Sequence, residues 1–391
     1  MKDFLFKGEL GASKSLFNRA LIISSYNPDI KVLGQSHSDD IDLLKAAIAN
    51  LDSQTEFDCG AAGTVLRFFA LRLARKKGIF KLKGTKKLFT RLLPQLQQTL
   101  SQLGAESRML DDETLQLDCD GWRPRGDGLW IPSGESSQFA SAILLNAWDL
   151  DMPIHFVRSG ELVSDSYFQM TVDLVRGFGM NVELHDKEVS IPAKQNPSAV
   201  DYQVECDVSS AFAVAALASQ AGECHIRNFP ERPLQPDSIF VSYLIRMGVE
   251  LSQTSEGLKV KKTNGLLPLD VDLKNSPDLF PVLSVLCSAA DGESKFQGLS
   301  HLEHKESNRI EKIKELTEAM GASWTGDAYA ELVLTPPSES HSKDIQFHAE
   351  EDHRLVMAAA LAQAMGYSVQ ITGTECVSKS FKGFEDIWSL C

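Results

Sequence analysis

Tyr167-Phe168-Gln169-Met170-Thr171-Val172-Asp173-Leu174-Val175-Arg176-Gly177-Phe178-Gly179-Met180-Asn181-Val182-Glu183-Leu184 reads as a helix, a glycine and a strand. Tyr167, Met170, Leu174 and Phe178 recur at three- and four-residue spacing and line one helical face. Gly179 follows the last of them, where a left-handed residue ends a helix. Beyond it, Met180 to Leu184 alternates apolar and polar side chains, the period of a strand. The same order returns at Leu103-Gly104-Ala105, at Met247-Gly248-Val249 (with Leu251 continuing the strand pattern) and at Met320-Gly321-Ala322. Ile310, Ile313, Leu316 and Met320 form the helical face of the last. The four glycines are 75, 69 and 73 residues apart, and so regular a period predicts a duplicated α/β unit.

A chain of 391 residues exceeds the usual size of one hydrophobic core, so two domains of roughly three units each are expected. Composition breaks at Asn196-Pro197-Ser198, ahead of Val204-Glu205-Cys206-Asp207, where the chain is expected to cross between halves. The formal charge of −14 excludes a general polycation for nucleic acid or membrane surfaces. No apolar run of about 20 residues is present, so no membrane helix is expected. Met1 to Lys7 enters a strand-like pattern without the apolar core of a signal peptide. Seven cysteines, scattered and never in CxxC spacing, argue against a disulfide framework or zinc site and fit the cytoplasm.

On this acidic background, cations gather in short motifs from both ends of the chain, as one pocket for a small multiply charged anion requires. In Ser13-Lys14-Ser15-Leu16-Phe17-Asn18-Arg19, either serine suits an N-cap, and a helix start with Lys14 attracts an anion; a capped surface helix fits equally. Gly60-Ala61-Ala62-Gly63-Thr64 is a small-residue turn that lets a ligand approach the backbone, or a tight connection. Ser136-Ser137-Gln138 and Ser164-Asp165-Ser166-Tyr167 offer hydroxyls at helix starts, as ligands or as caps. In Lys305-Glu306-Ser307-Asn308-Arg309, two cations four apart on a helix repel unless an anion or carboxylate lies between them. Asp352 suits an N-cap, and Arg354 then opposes the helix dipole. Asp278 opens an apolar helix as a cap or a general base, and Lys379-Ser380-Phe381 forms an aromatic-framed loop.

Taken in order, these segments resemble the EPSP synthases (3-phosphoshikimate 1-carboxyvinyltransferases) of the enolpyruvyl transferase family, from about Gly8 to Ser389. The resemblance implies a two-domain, inside-out α/β barrel, each domain three repeats of a βαβαββ-type unit. The domains would be 13–206 and 1–12 plus 207–391, with the active site in the cleft between. The implied reaction moves the enolpyruvyl group of phosphoenolpyruvate to the 5-hydroxyl of shikimate 3-phosphate and releases phosphate. The implied enzyme is a cytoplasmic monomer that needs no metal or organic cofactor and engages no nucleic acid or membrane.

Residues carry over where the motifs match. Lys14, Ser15, Arg19, Ser136, Ser137, Gln138, Ser164, Asp278 and Lys305 would bind shikimate 3-phosphate. Lys14, Gly63, Arg91, Gln138, Arg309, Arg354 and Lys379 would bind phosphoenolpyruvate. Asp278 would accept the 5-hydroxyl proton and Glu306 would exchange protons with the methylene carbon, with Lys14 and Lys379 as further proton carriers. Ala61, Leu92, Glu303, Asn308 and Lys382 depart from the family pattern, and His301 stands where some members have an asparagine ligand. Two other readings are a ligand-binding homologue without turnover and the UDP-N-acetylglucosamine enolpyruvyl transferase. The latter's characteristic loop cysteine is missing from Gly84 to Leu92.

Overall fold

The computed structural model describes residues 4–36, 38–124, 128–338, 344–379, 381 and 383–389, without the side chains of Arg91, His304, Ser378 and Lys379. The chain forms two units, Lys14–Val204 and Met1–Ser13 with Glu205–Cys391. The first contains α1 (Lys14–Ser24), α2 (Asp39–Ala49), α3 (Gly63–Ala74), α4 (Lys86–Gln102), α5 (Gln138–Asn146) and α6 (Asp165–Gly177). The second contains α7 (Val208–Ala221), α8 (Phe240–Arg246), α9 (Phe280–Cys287), α10 (Arg309–Ala319), α11 (His353–Ala364) and α12 (Phe384–Trp388).

Each unit carries two four-stranded sheets and one two-stranded parallel sheet. In the first unit the larger sheets run Glu56–Asp58, Lys77–Lys83, Thr114–Asp120, Glu106–Asp111 and Leu129–Pro132, Ile154–Ser159, Glu188–Ile191, Glu183–His185. In the second they run Phe4–Gly8, Gly222–Ile226, Gly257–Lys261, Leu251–Thr254 and Asp270–Asp272, Ser294–Gln297, Glu331–Thr335, Ser323–Gly326. All four begin with a parallel pair and continue antiparallel. Three follow the order βαβαββ along the chain; the fourth takes its first strand, Phe4–Gly8, from the N-terminus.

The helices make the interior. Every residue of α9 is buried, as is nearly all of α5, α7 and α11. A helix apolar on all sides is stable only when surrounded. The sheets alternate instead: along Lys77–Lys83 the lysines are exposed while Phe80 and Leu82 are buried, one face outward and one on the helices. This is the inside-out α/β architecture that the resemblance implies.

The repeated glycines close helices as expected. Gly104, Gly179, Gly248 and Gly321 have φ of +90°, +97°, +85° and +99°. After each, the next residue donates its N–H five residues back, as Met180 does to the Val175 carbonyl at 2.9 Å. Each glycine also donates its own N–H three residues back, as Gly179 does to the Arg176 carbonyl at 2.9 Å, and the two bonds together are the Schellman closure. It also corrects the expected strands, which begin later, at Glu183 and Leu251. Met180 and Val249 spend their amides on the preceding helix and cannot open a ladder. A fifth closure at Gly366, φ +97°, lies outside the period and went unread.

Two glycine substitutions separate space from flexibility. At Gly222 a Cβ would overlap the Phe4 carbonyl oxygen across the parallel pair. Gly222→Ala is expected to lower stability by about 2 kcal/mol. Gly177 ends α6 with nothing within 4 Å of a Cβ, so Gly177→Ala should be neutral or stabilising by about 0.5 kcal/mol. Urea midpoints of the two variants check this, and equal losses would contradict it.

Candidate active site

In the first unit the candidate ligands stand at helix N-termini, where unpaired amides and the helix dipole favour an anion. Lys14 opens α1 and pairs with Asp40 of α2 at 3.1 Å. Arg19, one turn on, is 1% exposed. Its Nε donates to Thr171 Oγ1 at 2.8 Å, its Nη1 to Ser15 Oγ at 2.7 Å, and it lies 5.2 Å over the Phe68 ring. Among the described residues no carboxylate pairs with Arg19, and burial pulls its pKa down to about 10. Its Nη1 also donates to the Ser15 carbonyl at 2.9 Å, and a buried cation met by neutral acceptors and a ring rather than by a carboxylate attracts an anion.

Gln138 opens α5 and its Oε1 accepts from Arg67 Nη1 at 2.8 Å, which aims the amide. Gly63 opens α3, preceded by Ala62, whose side chain makes no cap. Neither Ser137 nor Ser164 caps its helix with its hydroxyl, although both occupy the N-cap position. Ser136 Oγ accepts from the Gln138 amide at 3.2 Å. The choice between cap and ligand, open in the sequence, thus leaves the Ser137 and Ser164 hydroxyls outside capping. A cavity of about 890 Å³ in this unit, lined by Leu43, Glu56, Asp58, Gly60, Lys83 and Glu113, holds none of these ligands, and its carboxylates suit an anion poorly.

In the second unit one ion cluster gathers the candidates. Arg309 is the first residue of α10, 1% exposed, with three carboxylates on its guanidinium. Nε meets Asp352 at 2.7 Å, Nη1 meets Asp278 at 2.7 Å, and Nη2 meets Glu306 at 3.0 Å. Arg354 Nη2 reaches the other oxygen of Asp278 at 2.8 Å. Burial would push the Asp278 carboxyl up, but Arg354, Arg309 and Lys305 outweigh it and hold the group well below the usual carboxylate range. Burial would pull Arg309 down, and Asp352, Asp278 and Glu306 hold it well above. Asp352 caps α11 through the Arg354 amide at 3.0 Å and also accepts from Ser307 Oγ at 3.1 Å.

His301, which is not among the residues carried over from the family, feels the charges of this cluster. Neither ring nitrogen has a partner among the described residues. Its pKa falls to about 3, first through burial and then through Lys305, so it is a neutral imidazole beside charged groups.

Two expectations are corrected. Lys305 and Arg309 do not share a helix: Lys305 is extended (φ −82°, ψ −156°), and α10 starts at Arg309 because Asn308 caps it, accepting from the Glu311 amide at 3.3 Å. Their repulsion is relieved by carboxylates rather than by helical spacing. Ser15 lies inside α1, holding Arg19, and is not its cap. The side chains of Arg91 and Lys379, and Lys382, lie outside the described residues. Asp40, Thr171 and Arg67 were missed. Asp40 sits in an acidic helix start that reads as dipole compensation, and Thr171 gives no local signal.

A family model described as EPSP synthase (3-phosphoshikimate 1-carboxyvinyltransferase) matches residues 30–388. A 3-phosphoshikimate 1-carboxyvinyltransferase of Bacteroides fragilis (strain ATCC 25285) is 30% identical, the alignment covering 97% of this chain and 93% of that protein. One from Methanocorpusculum labreanum is 30% identical, covering 91% and 84%. The solved EPSP synthase of Acinetobacter baumannii is 19% identical with a TM-score of 0.78, covering 99% of this chain and 96% of that one. The enolpyruvyl transferase NikO of Streptomyces tendae is 14% identical with a TM-score of 0.74, covering 99% and 95%. The two structures show a shared fold.

His301 carries a pH signature. Its folded pKa of about 3 lies below the ordinary 6.5, so the unfolded chain takes up a proton that the folded chain refuses. That contribution to stability is full above pH 6.5 and is lost as pH falls toward 3. Between pH 6.5 and 4.5, His301→Gln is expected to remove about 2 kcal/mol of the decline. Denaturant titrations of both proteins at the two pH values measure it, and parallel declines would contradict the assignment.

Proposed function

The chain belongs to the EPSP synthase family, and from that premise we propose how its residues divide the reaction. The reaction transfers the enolpyruvyl group of phosphoenolpyruvate to the 5-hydroxyl of shikimate 3-phosphate, a step of the shikimate pathway to the aromatic amino acids. In this reading Lys14, Ser15, Arg19, Ser136, Ser137, Gln138, Ser164 and Lys305 hold shikimate 3-phosphate. Lys14, Gly63, Arg91, Gln138, Arg309, Arg354 and Lys379 hold phosphoenolpyruvate.

The observation that carries the reading is Asp278 gripped by Arg309 and Arg354 at 2.7 and 2.8 Å. Two arginines converging on one carboxylate form a site that an anionic substrate also fits, and Asp278 occupies it meanwhile. While gripped, Asp278 is a weak base. A substrate anion that takes over the arginines returns its basicity toward the ordinary range, when the 5-hydroxyl proton must be accepted.

The steps then balance. The 5-hydroxyl oxygen bonds to the phosphate-bearing carbon while its proton passes to Asp278, and Glu306 delivers a proton to the methylene carbon. The tetrahedral adduct keeps its carboxylate and phosphate, which the fixed cations neutralise. Glu306 takes a proton back from the methyl group as the bond to phosphate breaks, and the proton held by Asp278 passes, directly or through Lys14 or Lys379, to the departing phosphate oxygen, which restores the double bond, resets Asp278 and frees inorganic phosphate. Lys14 and Lys379 assist the proton transfers. Among the described residues no helix is long and apolar enough to cross a membrane. Six buried cysteine thiols among the described residues support a reducing, cytoplasmic setting, and the monomer is carried by the family resemblance alone.

Phosphate release, with each substrate omitted in turn, tests the assignment. It is expected only with both substrates, and Lys14→Met and Glu306→Gln should each slow it by about a hundredfold or more. Release from phosphoenolpyruvate alone, or full rates in both variants, would overturn the reading.

A further inference from the structure

Ser164 stands directly before α6 with φ +52° and ψ +38°. A residue with a side chain stays in that left-handed well only when its surroundings hold it. Asp186, in the hairpin between Glu183–His185 and Glu188–Ile191, is left-handed too, at φ +53°. One side chain engages the flanks of both. Arg158, buried on the strand Ile154–Ser159, forms an ion pair through Nη1 with Asp165, the first residue of α6. Its Nη2 donates to the Asp186 carbonyl at 3.0 Å, and its guanidinium lies 4.2 Å over the ring of Phe168, also on α6.

The short link from Arg158 to Ser164 therefore leaves the strand and enters the helix beside the same guanidinium. The link is held at its middle as well, with Ser133 donating to the Ser159 carbonyl at 3.0 Å and Lys187 Nζ donating to Gly160 at 2.8 Å. Val163 donates its N–H to the Ser133 carbonyl at 3.4 Å and the Ser164 carbonyl accepts from the Tyr167 amide at 3.0 Å, bonds that fix the two ends of this stretch but not the left-handed φ of Ser164 itself, whose other covalent neighbour is Asp165. A carboxylate at the first helical position already suits the dipole, so the arginine is not needed to keep α6 helical. Its added effect is directional: it sets where the first turn of α6 sits against the strand.

We propose that Arg158, acting through Asp165, is a positioning residue that keeps Ser164 left-handed and so sets the aim of its hydroxyl toward shikimate 3-phosphate. This rests on Ser164 being a contact to that substrate. Without the ion pair, Ser164 relaxes toward negative φ and its hydroxyl turns away, while the phosphoenolpyruvate contacts keep their places.

The test is a double-mutant comparison on the full chain, reading kcat and both KM values. Asp165→Asn removes the charge but keeps an amide oxygen to accept from the buried Arg158, and Arg158→Met removes the buried cation itself, so that a stability loss from an unpaired Arg158 is separated from the positioning effect. Each is expected to raise KM for shikimate 3-phosphate about tenfold with KM for phosphoenolpyruvate within about twofold. Ser164→Ala should raise the same KM, and adding Asp165→Asn to it should change little further. Additive effects, equal rises in both KM values, or an unchanged KM in Asp165→Asn would overturn the positioning role while leaving Ser164 as a contact. An unchanged KM in Ser164→Ala would instead remove the contact itself, and the proposal with it.

Discussion

A guanidinium group at 1% exposure is a charge that bulk water no longer stabilises, and each unit is built around one: Arg19 and Arg309. They are accommodated in opposite ways. Arg309 is enclosed by Asp278, Glu306 and Asp352, so its charge is matched within the protein. Arg19 is met by a threonine hydroxyl, a serine and a phenylalanine ring. The first unit therefore presents a standing positive potential. The second presents a balanced cluster, where an incoming anion must exchange with a carboxylate already in place. Exchange gives less net affinity than filling an empty cationic site, because the displaced Asp278 must be resolvated or re-paired. In the proposed mechanism, what it supplies is a carboxylate released into the site.

Placing so much charge at helix ends follows from the inside-out arrangement. Helices buried on nearly every side, such as α5 and α11, show polar groups chiefly at their termini, α10 is buried on one face only, and in all of them the N-termini suit anions. Lys14, Gly63, Gln138, Arg309 and Arg354 all lie within the first two positions of their helices. Rigid interior helices then fix the ligands more narrowly than surface loops would.

What the sequence revealed was local or periodic. The helix–glycine–strand order was visible because the Schellman closure needs a left-handed residue at one defined place, which glycine fills at no steric cost. The motif from Lys305 to Arg309 was visible as a cluster of charge, but not as an extended segment followed by a helix start, since Asn308 as cap competes with helical spacing as an explanation. The partners of the site were hidden for a different reason. Thr171 is 152 residues from Arg19, and Asp352 is 43 from Arg309. No short window holds such pairs. Family departures are equally opaque until packing is seen. Leu92 is buried within α4, and Glu303 accepts a hydrogen bond from the Tyr329 hydroxyl at 3.0 Å.

Among the described residues, the strand Phe4–Gly8 lies at the edge of its sheet and pairs with Gly222–Ile226 alone. During synthesis it leaves the ribosome well before its partner, which follows about two hundred residues later, a wait on the order of tens of seconds. The whole of Lys14–Val204 is available to fold in that interval, while the leading strand stays unpaired with Phe4 and Phe6 uncovered. Lys2, Asp3 and Lys7 flank those aromatics with charge, which discourages an exposed apolar strand from pairing with a neighbouring nascent chain. The discontinuous unit is thus a problem of timing during translation, and the charges beside the two phenylalanines protect the strand until its partner is made.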